Sequence, residues 1–196
     1  MLTEDPEDSA GTMADMGLGE WYSSLSDRDK VRLERYLTGA DRSSVISFLS
    51  SVASAAVAEE NHIFAVTVCE ECLNRDVSDI EKFRITESLI EAYIGAKRYD
   101  DAKCLCESNL ALYPSVSDRI TAENNGSVPE KMNCRNRYID ILVGIESGYD
   151  EAIGLLDRFR RMGLITEEDL KFRVQSLKIH RLQRSFDGVY TYTYKN

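Results

Sequence analysis

The stretch from Leu89 to Pro114, LIEAYIGAKRYDDAKCLCESNLALYP, constrains the fold more than any other part of the chain. Its apolar residues recur at helical spacing on both sides of Lys97-Arg98-Tyr99-Asp100-Asp101-Ala102, which predicts two amphipathic helices joined by a tight turn. Tyr99 and the small Ala102 stand where one helix must lie close against another. Two further segments carry the same signal. His62-Ile63-Phe64-Ala65, followed by Cys69, Glu70 and Leu73, superposes on Tyr99-Asp100-Asp101-Ala102 followed by Cys106, Glu107 and Leu110. Gly148-Tyr149-Asp150-Glu151-Ala152-Ile153 repeats the turn, with glycine ending one helix and an aromatic-acid-acid-Ala run opening the next. Tyr99 follows His62 by 37 residues, and Tyr149 follows Tyr99 by 50. The extra length of the second interval falls in Ser115–Ser127, rich in Ser, Asn and Gly.

Leu89, Tyr93, Tyr99, Ala102 and Pro114 stand at the spacings of a tetratricopeptide repeat, and the pattern resembles that family of two-helix units of about 34 residues. Ile90 replaces the usual glycine after the leucine, and Lys97 replaces the turn glycine. The resemblance covers roughly residues 43–163 and implies an all-α, right-handed superhelix of about eight helices. Around it the sequence predicts an acidic, disordered leader over 1–19, a capping helix within 20–42, a basic capping helix over 164–185 and an extended tyrosine-rich tail over 186–196.

Individual boundaries follow from capping signals. Ser26-Asp27-Arg28-Asp29 opens a helix running to Leu37, Val77-Ser78-Asp79 opens one to about Ala96, and Tyr99–Leu112 follows. Ser127-Val128-Pro129-Glu130 predicts a helix from there to Glu146. Thr166-Glu167-Glu168-Asp169 caps the last helix, reaching about Arg184. Phe186-Asp187-Gly188 is a turn signal, and Val189–Tyr194 alternates β-formers, which predicts an extended tail, either flexible or loosely docked or else lying along its own helices or a second copy.

Charge and composition bound the function. Residues 1–150 carry a net charge of −13 and residues 151–196 carry +3. So acidic a chain repels nucleic-acid phosphates at long range. Arg158, Arg160, Arg161, Lys171, Arg173, Lys178, Arg181 and Arg184 form a local exception. No apolar run approaches the ~20 residues that span a bilayer. The acidic N-terminus lacks the apolar stretch of a signal peptide, so a cytoplasmic protein is expected.

No catalytic constellation, cofactor motif or metal-ligand cluster stands out. There is no Gly-rich phosphate loop, no H-E-x-x-H and no G-x-S-x-G. His62 opens a helix and His180 lies within one. The five cysteines, Cys69, Cys72, Cys104, Cys106 and Cys134, read as free thiols packing like small hydrophobes. A thiol-based metal or redox sensor is the distant alternative.

The resemblance implies a partner-binding face on the first helix of each unit. In the central unit that face holds Arg84, Glu87, Glu91 and Ile94. In the last it holds Arg137, Ile141 and Ile145, and in the first Ser47, Ser50 and Ser54. Glu91 stands where carboxylate-gripping members carry asparagine, which argues against a chaperone-tail ligand. The expected function is a non-catalytic adaptor that captures another protein or a peptide segment, without cofactor or membrane. The alternative is a nucleic-acid-associated regulator acting through the basic C-terminal helix.

Overall fold

The computed structural model describes residues 6–193, with side chains from Ser9 to Arg184. Among the described residues all regular structure is helical. The elements are α1 (Pro6–Asp15), α2 (Gly19–Ser24), α3 (Asp27–Leu37), α4 (Val45–Ala58), α5 (His62–Leu73), α6 (Asp79–Gly95), α7 (Tyr99–Glu123), α8 (Asn133–Asp140), a π-helical turn (Ile141–Ile145), α9 (Tyr149–Arg161) and α10 (Glu167–Thr193). None of these helices is long and apolar enough to cross a membrane. The chain forms two compact units, residues 1–119 and 120–196, whose boundary falls inside α7.

In the first unit α4, α5 and α6 pack on one another, with α3 against α4. Their interior is built by Phe48, Leu49, Val52, Phe64, Cys69 and Ile90, all fully buried. Capping chemistry starts the helices where the sequence places it. Ser26 Oγ accepts the Asp29 amide of α3 (3.2 Å), and Ser78 with Glu81 forms a reciprocal capping box at α6. The two amide and hydroxyl bonds from Ser78 hold the Glu81 carboxyl below its usual range.

Four turns among the described residues share one backbone solution at a residue other than glycine, one of them at Asn125 after α7, where the Gly126 amide bonds the Thr121 carbonyl (2.7 Å). Glu60, Lys97 and Ser147 each have φ near +60°, the left-handed region, directly after a helix. The next amide reaches back over the last turn, from Asn61 to the Ala56 carbonyl (2.8 Å) and from Arg98 to Tyr93 (2.8 Å). This is the Schellman closure, made here without glycine at the left-handed position. The amides of Ala65, Ala102 and Ala152 then bond the carbonyls of Asn61, Arg98 and Gly148, starting α5, α7 and α9. All three alanines are fully buried, as are Cys69, Cys106 and Leu156 seven residues beyond His62, Tyr99 and Tyr149.

The turn at Ser147 differs by one residue. The Gly148 amide reaches six positions back, to Leu142 (2.7 Å), because the π turn Ile141–Ile145 adds a residue before it.

The structure departs from the sequence reading in four places. Where composition predicts a disordered leader over 1–19, α1 and α2 form, and Met13 and Leu18 are fully buried. Gly17, at φ +69°, closes α1 with the Leu18 amide on the Met13 carbonyl (2.7 Å). Residues 1–5 of that leader lie outside the described part.

Helix α7 does not stop before Pro114 but runs through it to Glu123. Proline there removes one backbone hydrogen bond and costs about 3 kcal/mol. The apolar stripe Leu110, Tyr113, Val116 and Ile120 stays buried across it, and that burial outweighs the lost bond.

The helix expected from Ser127 begins only at Asn133. Its intended first turn is instead held by Arg135, which is buried. The guanidinium donates to the carbonyls of Pro129 (3.1 Å), Glu130 (2.5 Å) and Leu164 (2.8 Å).

Finally, α10 continues to Thr193 through the residues read as a turn and extended tail. A lone strand leaves its backbone groups unpaired, whereas a helix pairs them internally. Residues 194–196 of the expected tail lie outside the described part.

Candidate partner-binding groove

The face that the resemblance assigns to a partner is carried in the first unit by α4 and α6. Ser44 caps α4 by accepting the Ser47 amide (3.0 Å), which sets Ser47 and Ser50 one turn apart on the same side. The capping box at Ser78 starts α6, and Arg84 follows on its exposed side. These elements bring Ser47, Ser50 and Arg84 to one depression of about 240 Å³, lined also by Ile46, Ile80 and Arg119. Ser54 does not line it.

The wall behind this depression is ordered. Cys72 Sγ lies 3.9 Å from both Ser50 Oγ and the Ile46 carbonyl. Burial pushes the Cys72 thiol up, so it stays protonated and serves as a weak donor.

Further along α6, Glu87 is tied to α7 through a buried amide. Asn109 Nδ2 donates to Glu87 Oε1 (3.1 Å) and to the Phe83 carbonyl (3.3 Å). Thr86 Oγ1 lies 2.5 Å from Asn109 Oδ1. Asn109 and Thr86 are both buried, and Phe83 meets Tyr113 with ring centroids 6.2 Å apart. This network sits ten residues after Tyr99, where the other two units carry the buried Cys72 and Phe159. A polar residue replacing an apolar one at that equivalent position was the available sequence signal.

The remaining predicted residues divide. Glu91 and Ile94 are half-buried on α6. In the second unit Arg137 pairs with Asp140 on its own helix (3.1 Å), and Ile145 is 53 % exposed. Ile141 is only 2 % exposed, so it belongs to the core and not to a partner-facing surface. The π turn that begins at Ile141 shifts the register there, which periodicity counted from the neighbouring units cannot anticipate.

The cysteines follow the packing expectation at four positions: Cys69, Cys72, Cys106 and Cys134 are buried, and Cys104 is exposed. Burial pushes the Cys69 thiol up to about 12 and raises Cys106 as well. Among the described residues no group of three or more His, Cys, Asp or Glu side chains is placed to hold a metal ion.

Four of the eight basic side chains of α9 and α10 make contacts within the second unit. Arg181 pairs with Asp150 (2.9 Å) and stands over the Tyr149 ring, whose hydroxyl lies 2.9 Å from His180 Nδ1. Arg184 donates to the Val143 carbonyl (3.2 Å), and Arg160 and Arg161 pair with Asp157.

One cavity-forming contact escaped the sequence reading. The His62 ring occupies the space that a Cβ on Gly95 would need, and its Nδ1 is buried without a hydrogen-bond partner among the described residues. The contact seats the start of α5 against the end of α6. Beside it, two adjoining depressions of about 530 and 320 Å³ share Arg32 and Asn61.

No protein-family model matches this chain, and neither a curated protein nor a solved structure matches it.

Proposed function

We propose that this chain is a non-catalytic adaptor that captures a segment of another protein on a tetratricopeptide-like groove between α4 and α6. One observation supports the reading above the rest. Ser47, Ser50 and Arg84, assigned to partner faces on two successive first helices, line a single depression. The recurrence of one turn geometry after α4, after α6 and before α9 is consistent with a degenerate repeat of that kind. Hydroxyls and a guanidinium offer hydrogen bonds to an extended or helical segment, while Ile46 and Ile80 give it an apolar floor. Because the wall is fixed by capping and by core packing, capture needs little rearrangement.

The test is affinity purification from the native host followed by reconstitution of the captured protein with the pure chain. Arg84→Glu should abolish the reconstituted complex while leaving the thermal melt unchanged. A complex that forms equally with Arg84→Glu and with a paired Ser47→Tyr, Ser50→Tyr variant overturns the groove.

A further inference from the structure

A second surface of the first unit carries its own chemistry, independent of the α4–α6 groove. Helix α3 presents Arg28, Val31, Arg32 and Arg35 at helical i, i+3, i+4, i+7 spacing to the larger of the two adjoining depressions. The smaller continues from Arg32 past Ile63 to Lys97. Together they form a continuous basic channel. Four cations line it against the two carboxylates of Asp27 and Glu60. Arg32 pairs with Asp29 (2.8 Å), whereas no carboxylate of the described residues pairs with Arg28, Arg35 or Lys97. Three lining cations without an ion pair among the described residues, against two lining carboxylates, leave this surface with a positive excess in a chain of net charge −10.

Two aliphatic side chains stand exposed in the channel, Val31 at 52 % and Ile63 at 75 %. The floor beneath them is rigid. Tyr36 stacks on Phe64 with centroids 6.1 Å apart, its hydroxyl donates to Glu59 (2.9 Å), and it accepts from Asn61 Nδ2 (2.7 Å). A surface with apolar anchors, surrounding cations and a fixed floor is built for association.

We propose that this channel docks an acidic peptide segment carrying an aliphatic anchor. Carboxylates of the segment meet Arg28, Arg35 and Lys97, and the anchor settles between Val31 and Ile63. The anchors favour peptide over nucleic acid. Single-stranded bases need exposed aromatic faces on which to stack, and the exposed apolar residues here are aliphatic.

Fluorescence anisotropy on the full chain tests the proposal with three labelled probes. These are a peptide repeating Glu-Glu-Leu, the same peptide with every Glu replaced by Lys, and an oligothymidylate. The acidic peptide should bind, more weakly as salt rises, and the lysine peptide should not. Arg28→Glu with Arg35→Glu should weaken acidic-peptide binding by about tenfold or more, and Ile63→Asp should do likewise. Both sites are exposed, so thermal melts should be unchanged. Arg84→Glu, in the other groove, should leave this binding intact, which separates the two surfaces. Equal binding of the lysine peptide, indifference to the charge-reversed α3, or preferential binding of oligothymidylate overturns the proposal.

Discussion

In the unit spanning residues 1–119, the turns after α4 and α6 close on their own backbone, and the buried Thr86 and Asn109 bond to each other, Asn109 also to Glu87. In the unit spanning 120–196, α7 ends in the same closure, with Asn125 at φ +55° and the Gly126 amide on the Thr121 carbonyl (2.7 Å), but a long connection still follows before α8. It relies on a buried guanidinium, Arg135, whose partners are carbonyls instead of a helix cap. Where the helical pairs follow one another closely, backbone geometry satisfies the helix ends. Where the interval lengthens, a charged side chain also reaches the carbonyls of the connection, at the cost of burying that charge.

Breaking the second unit's solution should have the largest effect. Arg135→Met leaves the carbonyls of Pro129, Glu130 and Leu164 without their donor, and at ~1–3 kcal/mol for an orphaned buried group the loss is about 3–5 kcal/mol. Hydrogen exchange should show the loss confined to residues 120–184, with α4–α6 protected as before. Arg135→Lys should recover only part of it, since an ammonium lacks the planar fork.

The first unit should instead be sensitive to alkali. Cys69 keeps its proton in the folded chain up to about pH 12, while the unfolded thiol releases it near its ordinary value of 9. The unfolded state then binds fewer protons, so stability is intact below pH 9 and falls as pH rises toward 12, by a few kcal/mol across the window. Urea denaturation of Cys69→Ala should lack this component of the alkaline slope.

Smaller effects sharpen the contrast between the closures. Gly95→Ala forces the His62 ring from its seat and should cost about 2 kcal/mol. His62→Ala in the same chain should remove most of that penalty, a coupling that a double-mutant cycle reads directly. Asn109→Leu should cost about 1–2 kcal/mol, because Thr86 retains the Lys82 carbonyl (2.7 Å) as an acceptor. Lys97→Gly relieves a left-handed residue and should stabilise the chain by about 0.5–1 kcal/mol. Arg135→Met and Lys97→Gly, lying in different units, should combine additively.

Helix identity was legible wherever a cap and an apolar stripe agreed. Ser26, Ser78 and Thr166 mark α3, α6 and α10 to within a residue or so. The equivalence of His62, Tyr99 and Tyr149 was legible too, because the alanine and the apolar residue that follow them must be small or buried in every copy. What remained hidden depends on contacts distant in sequence. Pro114 reads locally as a stop, and only the burial of Val116 and Ile120 carries α7 onward. Ser127-Val128-Pro129-Glu130 reads locally as a helix start, and only Arg135 shows why it is not one.

Of the residues named through the resemblance, Ser47, Ser50 and Arg84 line one depression, whereas the burial of Ile141 was not anticipated, since an added residue in the π turn leaves no mark in composition. The basic face of α3 was written in the sequence as Arg28, Arg32 and Arg35. Its meaning appears only when Ile63 and Lys97 are brought beside it.

The widened turn at Ile141–Ile145 marks the place where this scaffold absorbs a change in length. Excising Gly144, which faces open space, should restore ordinary winding and let the Gly148 amide close five positions back like its counterparts.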